Sequence, residues 1–175
     1  MRKRLLPIFL LLASAWTITA QESPKHYVDT NVGFSFDLPQ GWGINEMPNA
    51  KYKVAFGQRE NGFTPNISVE DDSCPCPLAE YVDLAQRHVE MSYKDLGLDS
   101  IKFQNKREFT TLSGLKGWKV TNIGTRKNLS VVFRQYVFEG KDKGQLIFTC
   151  AASVESASKS ESACDGAMKT LSLTK

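Results

Sequence analysis

Between Ile101 and Val154 the chain alternates apolar and polar side chains, and only short turn-rich segments interrupt the pattern. Ile101, Phe103 and Phe109 mark one face of a first strand, with Lys102, Gln104, Lys106 and Glu108 on the other. A period of two is the signature of a half-buried strand. Gly117 to Ile123, Leu129 to Phe138 and Gln145 to Val154 read as three more strands. The turns between the late strands, Thr125-Arg126-Lys127-Asn128 and 139–144, are too short for a parallel crossover, so the strands must form an antiparallel meander. The last strand is apolar on both faces, with Leu146, Phe148 and Cys150 against Ile147 and Ala151. Such a strand belongs at the centre of a sheet that is covered on each side.

Helical patterns flank the meander. Cys76-Pro77 sets the start of the first helix, with Pro at the first helical position. Leu78, Val82, Ala85, Val89 and Leu96 then follow a helical period, and Gly97 ends it. The opposite face carries Glu80, Asp83, Arg87, Glu90 and Lys94, which predicts Asp83–Arg87 and Glu90–Lys94 pairs one turn apart. After the meander, Ser158-Lys159-Ser160-Glu161 reads as a capping box, followed by the stripe Ala163, Cys164, Ala167, Met168 and Leu171. Three short strands come first, at 33–38, 53–59 and 66–71, separated by the turns Pro39-Gln40-Gly41-Trp42 and Glu60-Asn61-Gly62. The expectation is an α+β domain: an antiparallel sheet of about six to seven strands with two amphipathic helices packed on it.

The N-terminus reads as an export signal. Arg2-Lys3-Arg4 precedes an apolar run from Leu5 to about Trp16, then small residues and the polar stretch Gln21-Glu22-Ser23. Cleavage is expected after Ala20, with Ala13-Ser14-Ala15 as the second candidate. The run is too short to span a bilayer comfortably, and no later run is long enough. No Cys sits near the cut, so no lipid anchor is expected. Residues 21–32 read as a leader, and 33–175 as a single domain. Removing 1–20 takes away three basic residues and no acid, which leaves 19 acidic residues matched by as many basic ones. The pI of 8.6 therefore belongs to the precursor, and a neutral mature chain has no sequence-wide basis for binding nucleic acid. The expected location is secreted or periplasmic.

Four cysteines lie in the exported part, where disulfides are the default. Cys150 precedes the end of its strand by about four residues, so the chain runs outward by roughly 13 Å. A helix beginning near Ser158 returns by about 9 Å at Cys164. The two sulfurs can come level, and a bridge closing a loop of about 15 residues contributes roughly 3 kcal/mol in the chain-entropy model. Cys74 and Cys76 are then left to each other. A bridge across the single Pro75 closes a very small ring, and strained disulfides are more oxidising. Cys76 at a helix start would favour a thiolate. Cross-pairing of Cys74 and Cys76 with Cys150 and Cys164 stays open, because four cysteines allow three connectivities. Glu70-Asp71-Asp72 beside Cys74 and Cys76 also raises soft-metal binding, although no His is near and the acids read as a solvated strand end.

Nothing positive points to an enzyme. His26 falls in the leader and His88 on the border of the helix's polar face. There is no G-x-S-x-G, no H-E-x-x-H and no glycine-rich phosphate loop. Trp42 and Trp118 read as core or rim. Asn66-Ile67-Ser68 and Asn128-Leu129-Ser130 match the glycosylation sequon, relevant only to a eukaryotic source.

Tyr27, Gly33-Phe34-Ser35-Phe36 and Leu38-Pro39-Gln40-Gly41-Trp42 give a G-F-S-F-x-x-P-x-x-W opening. With this opening, the element order and the strand-strand-helix ending, roughly residues 27 to 173 resemble the PsbP-like superfamily, which includes the extrinsic P subunit of photosystem II and DcrB-like proteins. The resemblance implies an α/β/α sandwich, and mostly binding, assembly or accessory roles without catalysis. The four cysteines are not part of that pattern. The reading is an exported, non-enzymatic accessory or binding protein of the cell envelope, with a protein partner and no cofactor. The alternative is thiol-disulfide or soft-metal chemistry at Cys74-Pro75-Cys76.

Overall fold

Strand Gln145–Ser153 is the middle of the molecule, and its burial shows why. Every residue but Thr149 is buried. Leu146, Phe148 and Cys150 join one core with Phe34, Phe36 and Met168, while Ile147 joins a second with Val82, Val120 and Val137. A period-two strand with apolar side chains on both faces requires two covering layers.

The computed structural model describes residues 25–47, 51–95, 97–140 and 144–173. The expected export segment, 1–20, lies outside the described residues. In chain order the elements are β1 (His26–Asp29), β2 (Phe34–Asp37), β3 (Gly43–Asn45), β4 (Val54–Phe56), β5 (Asn66–Asp72), α1 (Leu78–Ser92), β6 (Ser100–Thr110), β7 (Lys116–Arg126), β8 (Leu129–Glu139), β9 (Gln145–Ser153), α2 (Ala157–Lys169) and β10 (Ser172–Leu173). Seven strands form an antiparallel sheet in the order β3-β4-β5-β9-β8-β7-β6, and β1-β2-β10 form a small second sheet. Helix α1 packs on one face of the large sheet, and α2 with the small sheet covers the other. The α+β class, the meander and the central place of β9 agree with the sequence.

Several local details differ from the sequence reading. His26–Asp29, at the end of the segment read as a leader, pairs with β2 in full register, so Tyr27 stands against Phe36. Its aromatic ring meets Phe34 and Phe36 edge-on, and this apolar contact holds the segment to the domain. Strand β2 is buried on both faces: the Ser35 hydroxyl meets that of Ser172 at 3.0 Å across the β2–β10 pair. The expected capping box does not form. A 3-10 turn at Val154–Ser156, capped by Ser153, leads into α2 at Ala157, and no side chain caps α2. Glu161 is engaged elsewhere, as described below. Helix α1 leaves its helical path after Ser92, with Pro77 at the N-cap, and closes through Gly97 at φ +73° with Leu98 N–H donating to the Tyr93 carbonyl. Asp83 pairs with Lys106 of β6 and Glu90 accepts from Gln86, so the expected intrahelical pairs give way to other partners.

Gly117 faces Phe138 across β7–β8. A Cβ there would meet the Phe138 ring and the Val137 carbonyl oxygen. G117A is therefore expected to lower stability by about 1–3 kcal/mol through overpacking, measurable by urea denaturation.

Candidate functional site

Strand β5 ends on Glu70-Asp71-Asp72, and its polar end opens beside a cleft of about 540 Å³. Asp29, Asn31 and Val32 from the β1–β2 turn line one wall. Lys51 and Tyr52, just before β4, line another, and Asp71, Asp72 and Ser73 form the edge towards the cysteines. Leu146 of β9 adds apolar surface.

Each carboxylate in the cleft is held in place. Lys51 Nζ donates to both oxygens of Asp71, at 2.7 and 2.6 Å. Its ammonium holds the Asp71 carboxyl below the usual carboxylate range, and Asp71 in turn raises the Lys51 pKa. Asp29 accepts from the Tyr27 hydroxyl and from the backbone N–H groups of Asn31 and Val32. Asp72 accepts from Cys74 N–H at 3.0 Å and from the Tyr81 hydroxyl at 3.2 Å. Burial first, and the neighbouring acids second, push Tyr27 and Tyr81 up to about 12. The Tyr52 hydroxyl is buried and has no hydrogen-bond partner among the described residues.

The cysteines stand as two bridges of opposite character. Cys150 and Cys164 are joined between β9 and α2 with Cα atoms 6.4 Å apart, both buried. Cys74 and Cys76 are joined across Pro75 with Cα atoms 5.4 Å apart, both partly exposed at the entrance to α1. Gln145 Nε2 donates to the Cys76 carbonyl at 3.1 Å. With both sulfurs bonded to each other, the Glu70–Asp72 stretch lacks thiolates, and no group of three or more His, Cys, Asp or Glu is placed to hold a metal among the described residues.

The remaining candidates sit apart from the cleft. His26 is exposed and pairs with Asp37, its cross-strand neighbour, at 2.6 Å. His88 is exposed on α1. Trp42 packs on the core edge against Gly57, and Trp118 lies at the rim of the α1-side core with Lys106 Nζ 5.0 Å from its ring. Asn66 lies inside the sheet between β4 and β9, whereas Asn128 is exposed in the β7–β8 turn.

Sequence reasoning missed a polar cluster beneath α2. Lys119 of β7 is fully buried, and its Nζ donates to Glu161 Oε1 and Asp165 Oδ1, both at 2.6 Å. The Tyr136 hydroxyl donates to the same Asp165 oxygen at 2.6 Å. Arg134 donates to Ser160 Oγ and the Ala157 carbonyl, and Arg107 reaches both acids from the rim. The Lys119 ammonium holds the Glu161 carboxyl below its usual range, and burial with Asp165 pushes Tyr136 far up. The available signal was the four-residue spacing of Glu161 and Asp165 flanking buried Cys164.

These shifts make stability depend on pH at both ends of the range. Glu161 and Asp71 have depressed folded-state pKa values, so their contribution is present above about pH 4 and is lost as pH falls through the folded value. Tyr27, Tyr81 and Tyr136 are raised, so theirs is complete below about pH 10 and is lost as pH climbs towards the folded values. Thermal melting across pH should show a plateau falling at both ends.

By sequence, the chain matches no family model and no curated protein. Solved structures are similar to it in fold. The solution structure of cyanobacterial PsbP (CyanoP) from Synechocystis sp. PCC 6803 superposes with a TM-score of 0.65 at 14% identity, covering 93% of this chain and 98% of that one. LpqN of Mycobacterium tuberculosis, described as involved in cell envelope biogenesis, gives 0.61 at 13%, covering 87% and 91%. A Mog1 variant gives 0.57 at 12%, covering 87% and 97%. With the element order and the two-sided sheet above, these likenesses show that the chain shares the fold of the PsbP, LpqN and Mog1 structures.

Proposed function

We propose that this chain is an exported accessory protein of the cell envelope that binds a protein partner at the cleft beside β5, without catalysing a reaction. The observation that carries the reading is the cleft itself. It is open and of mixed polarity, and each carboxylate among its described residues is fixed by an ammonium, a phenol or backbone N–H groups. Acids held that way present a fixed pattern of charge to a docked partner. Neither histidine lines it. The likeness to LpqN, with its envelope role, favours the same compartment. The test is affinity purification of the tagged full chain from the envelope fraction, beside a D71A variant. One specific partner, depleted with D71A, supports the reading. Recovery of the chain in the cytosol, or no partner with either form, contradicts it.

A second reading, thiol-disulfide exchange at Cys74–Cys76, is favoured by one observation. That bridge is partly exposed while the other is buried, and exposed disulfides are the labile ones.

A further inference from the structure

The surroundings of Cys74–Cys76 give a direction and a client to that second reading, on which this inference rests. Ser73, the residue before Cys74, lines the cleft, so the partly exposed bridge begins one residue beyond the cleft edge. The described cleft residues carry three carboxylates, Asp29, Asp71 and Asp72, against one ammonium, Lys51. Counting Lys141, Asp142 and Lys143, which link the lining residues Gly140 and Gly144 in sequence, acids still exceed lysines by four to three, and such a surface attracts a cationic segment. Lysines or arginines beside a client cysteine also lower its pKa and supply the thiolate that exchange requires. The same charges therefore select a client and activate it.

The two sulfurs are not equivalent. The Asp72 carboxylate accepts the Cys74 N–H at 3.0 Å, so negative charge already sits beside Cys74 and opposes a thiolate there. Cys76 stands next to the start of α1, where Pro77 is the N-cap and no side chain satisfies the first N–H groups. A thiolate released at Cys76 is favoured by that end of the helix. Lower pKa makes the better leaving group. Gln145 adds an independent sign. Its Nε2 holds the Cys76 carbonyl, while its buried Oε1 has no donor among the described residues. Gln145 also lines the cleft, so that unpaired acceptor belongs to the docking surface and suits a cationic segment.

We infer that Cys74–Cys76 is a transferable disulfide that oxidises a pair of thiols on an exported, cationic polypeptide docked in the cleft. The client thiolate attacks Cys74 Sγ. The Sγ–Sγ bond breaks, and Cys76 leaves as a thiolate and takes up a proton. The second client thiolate then attacks the client sulfur of the mixed disulfide, and Cys74 leaves and is protonated. The client loses two electrons and two protons, and this chain gains them as two thiols. Cys150–Cys164, buried under α2, takes no part.

The test uses the full purified chain in its oxidised form and two synthetic peptides with a pair of reduced cysteines, one flanked by lysines and one by glutamates. Peptide disulfide formation is followed by mass spectrometry, and acid quenching traps the mixed species. The expected result is one peptide disulfide per protein, a rate about ten-fold higher for the lysine peptide at low salt, and the trapped peptide on Cys74. D71N/D72N should bring the two rates together. Transfer at equal rates, or trapping on Cys76, overturns this inference and leaves exchange itself standing. No transfer from either peptide removes the exchange reading altogether.

Discussion

E161Q/D165N should destabilise the protein by about 3–5 kcal/mol, the range seen when a buried charge loses its partner. K119M should cost clearly less. The asymmetry follows from burial. Lys119 is 0% exposed, whereas the Glu161 and Asp165 side chains keep 41% and 29% exposure. Without Lys119, the acids turn to water and to Arg107, which already reaches both. With amides in place of the acids, the side-chain oxygens can still accept from Nζ but carry no charge, so the ammonium stays buried without a counter-ion, 5.4 Å from the Tyr136 ring. Tyr136 exchanges a charged acceptor of its hydroxyl for a neutral one. Urea denaturation of the two variants, compared at neutral pH, gives both numbers. Equal losses would mean that Lys119 reaches solvent when unpaired.

C150A/C164A is the second large effect. The bridge spans a sequence separation of 14 and ties the central strand to α2. Its removal should lower stability by about 3 kcal/mol from chain entropy alone, and more if the vacated volume stays empty. C74A/C76A opens a far shorter loop, at a separation of 2, so it should cost about half as much or less. The order of the two midpoints in urea checks the division of labour between the buried bridge and the exposed one. A larger loss from C74A/C76A would contradict it.

The large-scale fold was legible because its signals are local and redundant. The alternation from Ile101 to Val154 and the two-faced pattern of the last strand dictate a meander with layers on both sides. The cluster beneath α2 was not legible for the same physical reason. Lys119 alternates with Trp118 and Val120, so in isolation it reads as solvent-facing. It is buried because α2 returns over that face from 42 to 46 residues downstream, which strand periodicity does not record. Glu161 was misread by a stronger local pattern: a capping box is a short-range motif, and the tertiary partner Lys119 outcompeted it. The cleft escaped for a related reason. Asp29, Lys51 and Asp71 come from three separate segments, and only the register of β5 on β9 and the docking of β1 bring them together. The Asp71–Asp72 acids were visible, but as the solvated end of a strand.

The most direct check on partner binding is photo-crosslinking in the intact envelope. A photoreactive residue is placed at Asn31 on the cleft wall, and in a second strain at Leu112, which is 80% exposed in the β6–β7 turn and does not line the cleft. A discrete adduct from position 31, absent from position 112, is the outcome expected of a cleft that receives a protein. Identical adducts from both positions, or none from position 31, would show that the cleft is not where a partner sits.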